Sequence, residues 1–542
     1  MVDKLERKWL PHLKNSITNS ASITGVSLYT IALEGWRRGL KLEFYTEPTA
    51  GEKKRIKYSL EDGENKFYFN DSSGDLNTNE AIKICGDKGL TQKYLEENNV
   101  PTPLGKEFDA KDSIEKMLKY SRTLTYPLVV KPVDGFGGSG VIVNIKNEKE
   151  LKDAINYVTN KSNFKRIIIQ EFVKGNEVRI YVLNNKVIAA ANRVPAHIVG
   201  DGKRTIASLI QEKNYERGKN PNLRHRLIRL DSALNQYLES LGLTLDTVLN
   251  KNKLLTLREI SNVSLGGEPV DYTELLTDEQ KAIAEKATKS IPGLAQCGVD
   301  MMIDTESNRS VIIELNASPG IGTHLFPVKG KSRDIPKHVI DFYFPKSKKY
   351  DKSKQLFYFD LERIIDPLLT GALSKVEVPN YPEDSFFTKR FIIEIKANKY
   401  NEKLPSLIYQ EAKKLKLNGY INKEKDDNKV YLEIVVNHRS ERNVERVYQL
   451  LEKFYKEGII TKIQKKEYKK PLKIGFDYTE SENSMMELEL NHRQVYREYR
   501  AIKTEVNRVK KRLTMLKKSN FWKVVTPIRK IESLLKRKKI VR

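Results

Sequence analysis

The chain reads as a multidomain protein of the α/β (α+β) class with a long helix near its C-terminus, and three observations predict it. Apolar β-branched runs of strand length, Ile167-Ile168-Ile169 and Val311-Ile312-Ile313 among them, stand beside helical patterns in the first two thirds. From Arg390 the pattern orders itself as βαββαβ. Further on, Leu488, His492, Val495, Tyr499, Ile502, Val506, Val509, Leu513 and Leu516 return at spacings of four and three. With 542 residues there is chain enough for several domains and a large core.

Composition bounds the setting. Two cysteines, Cys85 and Cys297, give neither a disulfide framework nor a zinc pattern, which suits a reducing cytoplasm. The first eight residues lack the apolar core of a signal peptide, and no apolar run is long enough to span a bilayer. Lys and Arg number 97 against 71 Asp and Glu, a formal charge of +26. The excess is uneven, since residues 481–542 hold 18 basic and 6 acidic side chains.

Residues 1–80 read as a short α/β region, with a helix from Ser27 to Arg38 before Gly39 and a strand at Lys66-Phe67-Tyr68-Phe69. Further along, Tyr126-Pro127-Leu128-Val129-Val130-Lys131-Pro132 is an apolar strand ending in a lysine, and Asp134-Gly135-Phe136-Gly137-Gly138-Ser139-Gly140-Val141 follows directly. A turn of this kind lets backbone N–H groups approach phosphate oxygens while the ammonium neutralises them. No Lys-Ser or Lys-Thr follows the glycines, so this is not a Walker loop, and a bare hairpin turn is the alternative. Two β-branched strands then flank a polar junction at which Glu171 and Glu177 are placed to meet an adenine amine and ribose hydroxyls. Finally, Gly298 to Asp304 and Val311 to Gly320 are two strands with Asp300, Glu314 and Asn316 at their ends. Two carboxylates and an amide suit Mg²⁺, which takes the rest of its shell from phosphate and water. Solvated strand ends are the competing reading of that segment, and the upstream lysine and glycines favour the metal–nucleotide site.

These ordered motifs resemble the ATP-grasp superfamily, in the branch of cyanophycin synthetases and bifunctional glutathione synthetases, over residues 81–345. The resemblance rests on Gly86-Asp87-Lys88, Val130-Lys131-Pro132, Gln170-Glu171-Phe172, Asn192-Arg193-Val194-Pro195-Ala196, Asn262-Val263-Ser264-Leu265-Gly266-Gly267 and Glu314-Leu315-Asn316-Ala317-Ser318-Pro319-Gly320. It implies that Lys88 and Lys131 contact ATP phosphates beneath a lid formed by Gly135, Gly137, Gly138, Ser139 and Gly140. Glu171 and Val173 would face the adenine and Glu177 the ribose. Asp300, Glu314 and Asn316 would hold Mg²⁺ (or Mn²⁺), and Arg193 would lie near the transferred phosphoryl group and the substrate carboxylate. For Arg193 the alternative is a surface residue; for the 262–267 loop, a plain turn; for His324, a structural histidine. The second, Mur-ligase-like half of cyanophycin synthetases has no counterpart in this sequence.

Residues 346–389 read as a Lys-rich linker. The unit at 390–470 resembles an acylphosphatase, a ferredoxin-like plait, but Pro405 and Lys423 stand where that family has its catalytic arginine and asparagine. A hydrolytically dead binding or assembly module is expected. The heptads at 484–518 predict a coiled coil that makes a homo-oligomer, with packing against the body as the alternative. The tail at 519–542 sets Phe521, Trp522 and leucines among lysines and arginines, which suits an anionic membrane surface, with nucleic acid as the competing partner. The whole reads as a cytoplasmic enzyme, peripheral at the inner face of the membrane, that uses ATP to join a small-molecule carboxylate to an amine. An ATP-binding regulatory scaffold is the other reading.

Overall fold

The helix expected near residue 27 runs Val26–Arg37, and its twelve residues, VSLYTIALEGWR, are all buried. A helix apolar on nearly every side is stable only inside a core. In the computed structural model, which describes residues 7–47, 55–135, 140–161, 164–258, 261–352, 356–382, 386–395, 403–426 and 429–481, that core is supplied by a five-stranded sheet. Strands Lys41–Glu47, Arg55–Glu61, Lys66–Asn70 and Ser73–Gly74 are antiparallel neighbours. Trp36, Tyr29, Phe44, Tyr58 and Phe359 fill the space between helix and sheet. Gly35 permits the contact, since a Cβ there would lie 2.6 Å from Leu60 Cδ1.

The fifth strand comes from the segment expected as a linker. Lys375–Val378 pairs with Lys41–Glu47, placing Leu42 opposite Val378 and Phe44 opposite Val376. Just before it, helix Leu361–Thr370 buries Leu361, Ile364, Ile365 and Leu368 in the same core. The spacing i, i+3, i+4, i+7 is the signature of a helix with one apolar face. It was open to inspection, but the lysines on either side give the segment a linker's composition.

Two antiparallel sheets follow. The first orders Gly105–Asp109, Arg166–Glu171, Leu128–Pro132 and Ile142–Ile145, with helices Ile114–Ser121 and Glu148–Asn156 packed on it. The second orders Glu268–Asp271, Lys186–Val194, Asn176–Leu183, Gln296–Asp304 and Arg309–Asn316. One face of this second sheet is apolar: Val178, Ile180, Val182, Val299 and Met301 pack with helix Asp278–Lys289. Strand side chains alternate faces, so the residues between them project from the opposite side.

In the C-terminal unit the elements are Phe387–Ile395, Lys403–Lys414, Asn418–Asp426, Lys429–His438, Glu441–Lys456 and Ile460–Lys466. The sheet orders Ile460–Lys466, Phe387–Ile395, Lys429–His438, Asn418–Asp426, with Phe476–Ser481 added in parallel at the last edge. One face packs against Val444, Val447 and Leu451 of a helix. The other is not open: Val435 and Leu472 belong to the buried cluster of Trp36 and Phe357, and Tyr420 packs at its edge. Strand Phe357–Tyr358 also pairs in parallel with Leu472–Lys473. This unit is therefore docked on the N-terminal core.

The heptad segment 484–518, the tail 519–542, and Gly137, Gly138 and Ser139 of the glycine loop lie outside the described residues. No described helix is long and apolar enough to cross a membrane.

Candidate active site

On strand Asn176–Leu183 the residues that alternate with the core valines are Glu177, Arg179 and Tyr181. Pairing sets Arg179 opposite Asp300, and Asp300 opposite Glu314, so three strands align these side chains in one row. Gly298 keeps the row open beside them. A Cβ at that position would come within 2.6 Å of Pro319 Cβ and 3.1 Å of Arg179 Cδ.

Asp300 is held by two arginines. Arg179 grips it with both arms of its fork, Nε donating to Oδ1 and Nη2 to Oδ2 at 2.8 Å. Arg193 Nη1 donates to Glu177 Oε1 at 2.6 Å and to Asp300 Oδ2 at 3.3 Å. Arg179 and Asp300 are 8% and 4% exposed. Burial would raise the Asp300 pKa, but Arg179 and Arg193 outweigh it and hold the carboxyl below its ordinary range. For Glu177 burial prevails, and its pKa stands above the ordinary value despite Arg193.

Lys131 ends strand Leu128–Pro132 and is 7% exposed. Burial lowers its pKa to about 8, partly offset by Glu314, with Lys88 adding repulsion. Lys88 opens helix Lys88–Glu97, whose N-cap is the Asp87 side chain. Its Nζ donates to Gly135 O at 2.6 Å, so the first lysine is tied to the start of the glycine loop. A cleft between the two sheets is lined by Lys88, Lys131, Gln170 and Glu314.

The remaining sequence-chosen residues fall unequally. Val173 is buried, and Gly140 takes a φ of 72° in the left-handed region. Glu171 Oε1 accepts from Leu104 N at 2.9 Å and from the Arg309 guanidinium. Glu314 and Asn316 are different: among the described residues neither side chain makes a hydrogen bond or ion pair. An open carboxylate and an open amide form an all-oxygen donor set, which fits a hard divalent cation. The other cluster with metal-ligating chemistry, His12, Glu34 and Asp334, is closed to an ion because Arg38 already pairs with Glu34 and Lys352 with Asp334.

Two residues escaped the sequence reading. Arg179 could have been found, since it alternates with Val178 and Ile180 and shares a face with Glu177. Arg217 gave no signal. It is buried and donates to Arg226 O, Gly266 O and Gly267 O at 2.5–3.1 Å, pinning the 262–267 loop beside the strand that carries Arg193. Arg217→Met should cost about 3 kcal/mol in urea unfolding, because it leaves buried carbonyls without donors. A loss below about 1 kcal/mol would show that water replaces the guanidinium.

Parts of the chain are similar in sequence to known proteins. Residues 85–205 match the ATP-grasp domain and residues 257–337 the RimK-like ATP-grasp domain. The chain is 34% identical over 272 residues to a cyanophycin synthetase of Crocosphaera subtropica, covering 49% of this chain and 31% of that protein. It is 29% identical over 354 residues to the glutathione biosynthesis bifunctional protein GshAB of Clostridium perfringens, covering 63% and 44%. Among solved structures, a bifunctional glutathione synthetase from Pasteurella multocida matches at 26% identity and a TM-score of 0.42, over 56% of this chain and 41% of that one. The chain thus spans about a third to under a half of the length of these relatives. Residues 85–205 and 257–337 are ATP-grasp sequence, RimK-like in the second part, and homologous to cyanophycin synthetases and bifunctional glutathione synthetases.

Proposed function

We propose that this protein is a carboxylate–amine ligase that consumes ATP and forms an amide or peptide bond through an acyl phosphate. The observation that carries the reading is the row Arg179–Asp300–Glu314 on one sheet face, with Arg193 and Lys131 beside it and Glu314 and Asn316 left open. A substrate carboxylate oxygen attacks the γ-phosphorus, the bond to the bridging oxygen breaks, and ADP leaves. An amine then attacks the acyl carbon, phosphate departs, and the amide remains. Phosphoryl transfer of this kind needs positioning and charge neutralisation rather than a covalent side chain.

Lys88 and Lys131 neutralise phosphate oxygens, with Gly135 and Gly140 bounding the glycine-rich stretch of sequence. Arg193, fixed by Glu177 and Asp300, orients the substrate carboxylate toward the phosphoryl group. Glu314 and Asn316 would hold Mg²⁺ (or Mn²⁺), joined by the lone pairs of Asp300 that its arginines leave free, and the ion supplies charge neutralisation at the phosphates. Glu177 turned toward the site suits a ribose contact. The C-terminal unit is a ferredoxin-like plait, a reading supported by its element and strand order. Its sheet is docked, and its sequence lacks acylphosphatase chemistry, so it serves assembly. The heptads support homo-oligomerisation. The basic, Trp-bearing tail supports peripheral membrane attachment from the cytoplasm.

Hydroxylamine tests the ligase without knowledge of the amine, because it intercepts an acyl phosphate as a hydroxamate. Incubation with Mg²⁺–ATP and pools of amino acids, dipeptides and sugar acids should give ADP and hydroxamate from one pool. Glu314→Gln should lower that rate by roughly 10²–10³-fold. Binding of ATP without ADP or hydroxamate from any pool would remove the ligase reading.

A further inference from the structure

The sequence holds two cysteines in 542 residues, and the fold brings them together. Cys297 is the second residue of strand Gln296–Asp304 and is fully buried, on the apolar sheet face with Val299 and Met301. Cys85 lies in the last turn of helix Asn79–Gly86 and packs against the same cluster. The two side chains meet in a hydrogen bond, and both thiols are free. Cys85 is half-buried and also lines the cleft with Lys88, Lys131 and Glu314. A buried free cysteine by itself is a small apolar core residue. A second thiol set against it and open to a cleft makes an oxidisable thiol with a resolving partner. Where the surroundings are reducing, bonds between such pairs are transient and serve redox sensing.

One end of the helix is fastened and the other has room. Asn77 Oδ1 accepts from Ala295 N at 2.8 Å and Gln296 N at 2.9 Å, and its Nδ2 donates to Gln296 O and Ala317 O at 2.9 Å. The start of the helix is thus tied to the strand just before Cys297. At the far end Gly86 follows Cys85, and a Cβ there would meet nothing within 4 Å. That end is coupled to the cleft, since Asp87 caps helix Lys88–Glu97 and Thr91 Oγ1 donates to Ile84 O at 2.7 Å.

We propose that Cys85 and Cys297 are a peroxide-sensitive redox pair whose disulfide displaces Lys88 and weakens nucleotide binding in the cleft. The Cys85 thiolate attacks hydrogen peroxide, the O–O bond breaks, and Cys85 becomes a sulfenic acid as water leaves. The Cys297 sulfur then attacks the Cys85 sulfur, the S–O bond breaks, and hydroxide departs with the Cys297 proton as a second water. Two thiols are oxidised and one peroxide is reduced to two waters; a dithiol reverses the bond. A disulfide sets its sulfurs about 2.05 Å apart, closer than two thiols in contact. Cys297 is enclosed in a close-packed sheet core, so the helix end yields and carries Lys88 with it. The pair rests on the contact between the thiols; its effect on nucleotide rests on the ligase reading of the cleft.

Reduced full-length protein is treated with hydrogen peroxide, alkylated, and digested without reductant from the monomer band of a non-reducing gel. Mass spectrometry should find the Cys85 and Cys297 peptides linked. The oxidised protein should bind Mg²⁺–ADP about tenfold or more weakly, and dithiothreitol should restore the affinity. C297A should form no link, hold Cys85 as a sulfenic acid trapped by dimedone, and keep its ADP affinity through the same treatment. Linkage only between chains, or sulfenic acid in the wild type without linkage, would overturn the pair. A linked protein that binds ADP as the reduced one does, or an equal loss of affinity in oxidised C297A, would overturn the switch. Failure of the reduced protein to bind ADP would remove the nucleotide reading and the switch with it, while the linked peptides would still establish the pair.

Discussion

Lys131→Met is expected to abolish ATP binding while making the ligand-free protein more stable. The wild-type ammonium is buried, and its folded pKa of about 8 lies below the ordinary lysine value of 10.5. A depression of that size corresponds to a cost on the order of 3 kcal/mol when the group is charged at pH 7. The sign follows from proton counting. Between pH 8 and 10.5 the unfolded chain binds more protons at this site than the folded one, so ligand-free stability rises with pH across that window. Below pH 8 the folded state carries the full penalty. Phosphate oxygens supply the missing counter-charge, so nucleotide should stabilise the wild type most where Lys131 is protonated. Methionine fills a similar volume without the charge. The variant should therefore melt higher without ligand, show no rise attributable to this site between pH 8 and 10.5, and gain no thermal shift from Mg²⁺–ATP. Its turnover should fall by roughly 10²–10³-fold. Melting curves at pH 7, 8 and 9.5, with and without nucleotide, decide the matter. A variant that melts lower yet keeps the ATP-induced shift would show that Lys131 is not the phosphate contact.

The legible parts of this protein were those whose chemistry sits in consecutive residues. Lys131 near a strand end and the Glu314-x-Asn316 pair stand out within a few positions, and the structure draws Lys88, Lys131 and Glu314 to one cleft. What sequence alone obscured depends on partners distant along the chain. Glu171 Oε1 meets Arg309, 138 positions away, a partner that no local pattern announces. The strand at 375–378 joins residues 41–47 at the N-terminal edge, and nothing local in its lysine-rich surroundings announces the partner. Arg217 looks like any other arginine in sequence, and only its burial among carbonyl acceptors marks it as structural.

Arg179 and Asp300 should behave as a unit in a double-mutant cycle. Arg179→Met leaves Asp300 enclosed with only the 3.3 Å contact to Arg193, and Asp300→Asn leaves the Arg179 fork without its counter-charge. Breaking a buried pair from one side costs about 3–5 kcal/mol, whereas replacing both members can be close to neutral. The double variant Arg179→Met/Asp300→Asn should therefore unfold in urea nearer the wild type than either single variant does. All three should have lost turnover, since Asp300 adjoins the open oxygen donors Glu314 and Asn316. Proton linkage gives a second signature. In the wild type the Asp300 pKa is depressed, so its contribution is present above the ordinary value of 3.8 and is lost as pH falls through the folded value. Without Arg179, burial becomes the dominant influence and the folded pKa moves up. Arg179→Met should then be most destabilised at neutral pH and approach the wild type near pH 4. Strict additivity of the two substitutions, or a deficit that grows with acid, would show that the arginine serves only to pack against Gly298 and leaves the carboxylate's charge unmatched.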